Sequence, residues 1–219
     1  MSYYYDNRRS GFLANVPEVT RTLIIVNILV FIGTVISERT LNSHVMVSSF
    51  ALFHPASLYF KIWQPLTYMF MHGGFFHIFF NMYTLLMFGG VVEQIIGPKK
   101  FTLLYFLSGL GAAALHLGIM TVTKSANVPM VGASGAIYGV LIAYAILFPD
   151  SRMTLLFPPV TLTAKWMVAI FLGIELFTGV TGTVEGIAHF AHLGGMVAGF
   201  LIMFFWKKRG TLFNRDNYS

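Results

Sequence analysis

The sequence predicts an all-α membrane protein, a bundle of six transmembrane helices with the N- and C-termini cytoplasmic. Three observations predict it. Across 219 residues, hydrophobic side chains make up 56% and charged ones 10%, with a mean hydropathy of +0.72, whereas a soluble domain carries about 25% charged residues. Six apolar runs approach the ~20 residues needed to cross a ~30 Å hydrocarbon core. Most of the 14 Lys and Arg residues fall on one side of the membrane that six spans define.

The elements follow in order. A short tail, residues 1–20, precedes the first apolar run, 22–37; no small-residue cleavage site follows it and further spans do, so it is expected to be retained rather than removed as a signal sequence. The stretch 38–76 is the least regular. It holds His44, His54-Pro55, Trp63, Pro65 and Gly73-Gly74, and its aromatics suit an amphipathic element lying in the interface. The second run, 77–96, stops at Gly97-Pro98-Lys99-Lys100, and the third occupies 101–122. The fourth, 134–148, ends on Pro149-Asp150-Ser151-Arg152, and the fifth covers 166–180. The last, 186–206, is closed by Lys207-Lys208-Arg209, where a basic tail of residues 207–219 begins. The last three runs show no strand-like alternation, which disfavours a β-barrel. One membrane domain, 21–206, therefore accounts for the chain between its tails.

Charge sets the orientation. Arg8, Arg9, Arg21, Lys99, Lys100, Arg152, Lys165, Lys207, Lys208, Arg209 and Arg215 lie on one side, against Arg39, Lys61 and Lys124 on the other. The positive-inside rule makes the first side cytoplasmic. The net charge of +6 is thus a topology and lipid-headgroup signal. Spread over four short segments, it argues against nucleic acid as a partner. The absence of cysteine excludes disulfides, a thiol nucleophile and any Cys-based metal site.

Three polar residues reach one depth. Ser134, in V-G-A-S-G-A-I-Y-G, lies sixteen residues before Asp150, about 24 Å of helical rise. His192 lies fifteen residues before Lys207 (about 22 Å), and Asn81 sixteen before Gly97 (about 24 Å). All three helices descend from the outer side. Gly132, Gly135 and Gly139 beside the serine, and Gly194, Gly195 and Gly199 after the histidine, let backbones approach closely. Two readings of Ser134 compete: a hydroxyl bonded back to its own helix among packing glycines, or a nucleophile. Histidine at this depth is costly and points to function.

A serine hydroxyl becomes nucleophilic when a positioned base takes its proton, and imidazole suits that exchange near neutral pH. Acyl transfer also needs donors for the developing oxyanion. The Ser134 N–H, near a helix N-terminus, is one candidate. His77 and Asn81, at i and i+4 on one helix face, offer side-chain donors, or alternatively a polar contact that pins helices together.

H-G-G-F-F-H-I-F-F-N from His72 to Asn81, G-A-S-G-A-I-Y from Gly132 to Tyr138, and A-H-L-G-G from Ala191 to Gly195 resemble the signature set of the rhomboid intramembrane serine proteases. Order, spacing and six-helix frame match from about Arg21 to Trp206. The resemblance implies a Ser134–His192 dyad, without a carboxylate, as nucleophile and general base. It implies an oxyanion site of Asn81, His77 and the Ser134 N–H, with Tyr138 packed on the His192 imidazole. Gly132 would occupy a tight turn that leaves room for the substrate backbone. Glu93 and Gly97, in E-x-x-x-G, resemble the family in a structural role. Where many relatives have Trp-Arg in the outer segment, this chain has Trp63-Gln64, which puts that arginine's contacts in doubt.

The remaining polar residues are weighed separately. Glu175 is expected to be an interfacial carboxylate or a helix contact rather than the orienting acid of a triad. His189 and His192 form an i, i+3 pair, but zinc needs three or four ligands and the motif supplies no third, so no metal is expected. His72 lines the water entrance or sits in the interface, and His116 makes a structural polar contact. No H-E-x-x-H is present, and Asp6, Asp150 and Asp216 are terminal or in loops, which disfavours zinc and aspartyl proteases. G-A-S-G-A is not G-x-S-x-G.

The expectation is an integral multi-pass protein of the cell membrane, a bacterial inner membrane, with its site opening to the non-cytoplasmic side. It would hydrolyse peptide bonds in or beside the transmembrane segments of single-span or other membrane proteins, with no cofactor. The resemblance suggests cuts at small residues in locally unstable helices. The alternatives are a non-catalytic relative that binds or chaperones membrane segments, and a small transporter relaying protons through His77, His192 and Glu175.

Overall fold

All six apolar runs fold as helices, each longer or shorter than its apolar core by a few residues. The computed structural model describes residues 15–40, 42–125, 127–154, 159–181 and 186–213. Arg8, Arg9 and Arg215, with Asp6 and Asp216, lie outside the described residues. Helix α1 is Glu18–Thr40; the irregular outer segment contains α2, Val45–Phe50, and α3, Gln64–Thr67, which runs into a 3-10 turn at Tyr68–Phe70. Helices α4, Phe75–Thr84, and α5, Gly90–Ile96, are joined through a π-helical turn at Leu85–Gly89 into one continuous helix. Helix α6 is Pro98–Thr123, α7 Ser134–Leu147, α8 Ala164–Thr181 and α9 Gly186–Lys208.

Helices α1, α4–α5, α6, α8 and α9 are each long and apolar enough to cross a membrane. The chain is an integral multi-pass membrane protein. Helix α7, with 14 residues, rises only about 21 Å, so the sixth helix expected from the sequence is present but shorter than a full span. Leu29, Phe177 and Phe204 are exposed on the outer surface, while Asn27, Asn81, Glu93, Ser108, His116 and Glu175 are buried. That distribution is the one required where lipid is the solvent.

The glycines draw α6, α7 and α9 together. A Cβ on Gly195 would stand 1.9 Å from the Gly135 carbonyl oxygen, one on Gly199 2.6 Å from Gly139 Cα, and one on Gly135 2.4 Å from Ala112 Cβ. Backbone therefore lies on backbone along the α7–α9 seam. The seam sets one register: Gly135 follows Ser134 immediately, and Gly195 lies three residues beyond His192.

Two other devices fix the frame. Glu93 is buried, and its carboxylate accepts from Val19 N (2.9 Å) and Thr20 N (2.7 Å), capping the first turn of α1. Gly97, at φ 82°, then ends α5 in the left-handed region, and Pro98 opens α6 at its first position.

The outer segment is held by Gln64, which is fully buried. Its Oε1 accepts from Phe53 N (3.2 Å), and its Nε2 donates to Tyr59 O (2.8 Å) and Ser48 O (3.3 Å). Glutamine at this position is thus an anchor in its own right, with both ends of the amide engaged. A two-way backbone bridge between Leu52 and Met130, 2.9 Å in each direction, joins the segment to the approach of α7.

One element was not legible in the sequence. Arg152–Thr154 (β1) pairs antiparallel with Thr161–Thr163 (β2), and the Thr154 and Thr161 hydroxyls meet at 2.9 Å. The two strands lie in the connection between α7 and α8.

Candidate active site

Ser134 is the first residue of α7, and the turn before it is built around Gly132 at φ 127°. Gly132 N donates to Tyr68 O at 3.0 Å, tying this turn to the outer segment. A Cβ at Gly132 would lie 2.8 Å from His77 Nε2 and 3.5 Å from Ser134 Oγ. Conformation and space both demand glycine there. The space that the resemblance implies for a substrate backbone is bordered by the His77 ring.

From α9, His192 Nε2 reaches Ser134 Oγ at 2.8 Å. Tyr138, one turn below the serine, stacks on the imidazole with centroids 4.5 Å apart and planes at 25°. His77 and Asn81 arrive from α4 and line the same cavity as Ser134, Tyr138 and His192. Asn81 spends one amide hydrogen on His77 O at 2.9 Å and keeps a second. Being first in α7, Ser134 has an N–H that precedes the helix's own hydrogen-bond ladder, which reaches Ala133 O from Ile137 N. The structure thus brings together every site residue named from the sequence.

The cavity has a volume of about 960 Å³ and extends the length of α7, from Ser134 and His192 to Arg152, Met153 and Thr154 of the hairpin. Phe76, Phe80 and Met87 line it from the α4–α5 helix, and Met167 and Phe171 from α8. The π-helical turn contributes Met87 and Phe88 to this wall. Such turns displace side chains from the ordinary helical face.

Glu175 takes the second of the two roles expected of it, a contact with neighbouring helices, and its carboxylate is buried in α8. Oε1 lies 2.9 Å from His192 Nδ1 and accepts a hydrogen bond from the Tyr138 hydroxyl, and Oε2 lies 2.6 Å from His189 Nδ1. Burial of a lone carboxylate is a cost, and three donors from α7 and α9 offset it. His189 and His192 share a face at i, i+3, and that pair was the available signal for an acid nearby.

This trio also supplies the third metal-capable group that the sequence did not, the ligand atoms all lying within 4.8 Å of one another. Its spacing is that of hydrogen bonds. Tetrahedral zinc, with ligands at ~2.0–2.1 Å, holds them about 3.3 Å apart, whereas the two carboxylate–imidazole contacts are 2.6 and 2.9 Å.

His72 lies in the loop before α4, buried, its ring edge-on to His77 with centroids 5.0 Å apart. Burial, with the neighbouring His77 adding to it, pushes its pKa down to about 4. His116 is buried in α6.

The sequence matches the family model described as Rhomboid domain over residues 59–209. It is 31% identical over 164 residues to RHOMBOID-like protein 1 of Arabidopsis thaliana, covering 72% of this chain and 38% of that protein. Rhomboid-like protease 1 of Toxoplasma gondii is 27% identical over 210 residues, 92% of this chain and 66% of the relative. The mitochondrial presenilin-associated rhomboid-like protein of Mus musculus is 30% identical over 149 residues, 65% and 39% of the two chains. Against the plant and mouse relatives, the matched region is well under half of their length. A mitochondrial relative means that similarity does not single out the bacterial inner membrane expected from the sequence. With the domain match covering more than half of its length, the chain belongs to the rhomboid family.

Proposed function

We propose that this protein is an intramembrane serine endopeptidase that cuts membrane proteins in or beside their transmembrane segments. The single observation that carries the reading is the 2.8 Å contact between Ser134 Oγ and His192 Nε2 at the head of an apolar cavity lined by His77 and Asn81. Similarity to a relative named as a protease supports it.

The chemistry follows from the atoms. His192 Nε2 takes the Ser134 hydroxyl proton as Oγ attacks the scissile carbonyl carbon. The carbonyl oxygen gains negative charge, and the Ser134 N–H, the free Asn81 amide hydrogen and the His77 ring are the donors within the cavity for it. The imidazolium returns its proton to the leaving amine nitrogen, the C–N bond breaks, and an acyl-serine remains. Water then attacks, gives a proton to His192, and releases the acid as Ser134 recovers its hydrogen. No cofactor enters this sequence. The cavity wall of Phe76, Phe80 and Met87 suits an apolar transmembrane segment. From the distribution of basic residues we read the termini as cytoplasmic and the site as opening to the opposite side.

The test is cleavage of a panel of labelled single-span substrates by purified protein in liposomes, alongside Ser134→Ala and His192→Ala. Cleavage lost in both variants, with Ser134 carrying a fluorophosphonate label in the unmodified protein, is the expected result. An inert protein whose serine resists the label, yet which retains the same segments, would instead be a membrane-segment binder.

A further inference from the structure

Among the buried ionisable groups to which the proposed reaction gives no part, one lies against the reacting pair. Glu175 on α8 is 6% exposed, and in a membrane-spanning helix such a group is retained only where its environment compensates it. It faces the imidazole nitrogen opposite the one that faces Ser134.

We propose that Glu175 is a positioning residue for His192, fixing the tautomer and ring orientation that aim Nε2 at Ser134 and stabilising the imidazolium formed during the reaction. The inference rests on the protease reading above. The hydrogen-bond inventory carries it. An ionised carboxylate only accepts, and it has room for about four donors. Three are present: the Tyr138 hydroxyl and His192 Nδ1 on Oε1, and His189 Nδ1 on Oε2. With Nδ1 of His192 committed as a donor, the lone pair of the neutral ring lies on Nε2, 2.8 Å from Ser134 Oγ. The alternative tautomer would aim a lone pair at the carboxylate and an N–H at the serine.

Tyr138 and His189 make the device rigid. Tyr138 stacks on the His192 ring and bonds the carboxylate that the ring also bonds, so ring plane and acid are fixed by one side chain. His189 holds the other oxygen and closes the remaining rotation. When His192 takes the serine proton, a positive charge arises 2.9 Å from Oε1, in a setting where the acid side chain is 8% exposed and little screened. The result is a Ser–His–Glu relay of hydrogen bonds in which the proton travels only between Ser134, His192 and substrate; Glu175 keeps its charge throughout.

The experiment compares unmodified protein with Glu175→Gln and Glu175→Asp in liposomes, reading kcat, KM, thermal unfolding and the rate of fluorophosphonate labelling at Ser134. Glutamine keeps the size and one acceptor but removes the charge and presents an NH2 to His189. The expected result is a kcat lowered on the order of 100-fold or more, against ~10⁴ for the equivalent change in soluble triads. KM and melting temperature stay near their starting values, labelling slows in parallel, and Glu175→Asp recovers part of the loss. A purely structural clamp between α8 and α9 would lower the melting temperature and leave kcat per folded molecule intact. Full kcat in Glu175→Gln, with Ser134→Ala and His192→Ala inert, overturns this inference while the protease reading stands. Failure of the unmodified protein to cleave or label overturns both. If Glu175→Gln does not fold, Tyr138→Phe and His189→Leu each remove a donor from the carboxylate, and unchanged kcat in both overturns the inference.

Discussion

Gly195→Ala is the sharpest test of how the two helices carrying Ser134 and His192 are held. The added Cβ would sit 1.9 Å from the carbonyl oxygen of Gly135 and 2.8 Å from its carbonyl carbon. Both obstacles are backbone, so no side chain can swing aside. Ordinary close carbon–oxygen contact is about 3.3 Å, and α7 and α9 must therefore part by roughly 1.4 Å. Ser134 is adjacent to Gly135, and His192 is one helical turn from Gly195, so the separation falls almost undiminished on the 2.8 Å hydrogen bond. Stretched to about 4 Å, it no longer conveys a proton. A misplacement of about 1 Å costs on the order of 100-fold in rate. We expect Gly195→Ala to lower kcat by ~100-fold or more with a smaller effect on KM, measured by single-span substrate cleavage in liposomes. Substrate turnover at the unmodified rate would show that the seam does not set the Ser134–His192 distance.

Two further predictions concern the outer segment. Gln64→Leu, similar in volume, removes partners from Phe53 N, Tyr59 O and Ser48 O; at about 1–3 kcal/mol per stranded buried group, and less for the two part-buried carbonyls, stability should fall by roughly 3 kcal/mol or more, read as a lowered melting temperature in detergent. An unchanged melting temperature would mean that the amide is dispensable. His72 is held neutral in the folded protein, its pKa lowered from 6.5 to about 4; the unfolded ring takes up a proton first, so the stability it contributes is present above pH 6.5 and lost as pH falls toward 4. The fall in melting temperature between pH 7 and pH 5 should therefore be smaller in His72→Asn, and equal slopes would refute the assignment.

Much of the frame was legible because lipid imposes a simple rule. Apolar length gave the helices, and the glycine patterns around Ser134 and His192 gave the seam, since a residue without a side chain on a membrane helix signals a neighbour's backbone. Equal depths counted along α4–α5, α7 and α9 anticipated that Asn81, Ser134 and His192 would share one cavity. What single-helix reasoning could not supply was relation across helices. Glu175 could be read along α8 only as an interfacial carboxylate or a helix contact, and its three partners belong to α7 and α9. The hairpin after α7 was missed because three-residue strands leave no measurable alternation. Gln64 was read through the arginine that it replaces, whereas its contacts are short-range bonds to three carbonyl or amide groups that an amide satisfies directly.

The shortness of α7 has a consequence for the material above it. A helix of about 21 Å in a ~30 Å core leaves some 9 Å in which the chain is neither helical nor able to leave its amides bare. Two of those amides are served by other peptide groups: Met130 by Leu52, and Gly132 by Tyr68. The loop region therefore acts as a private solvent for one end of the bundle, replacing both lipid and helix with folded backbone.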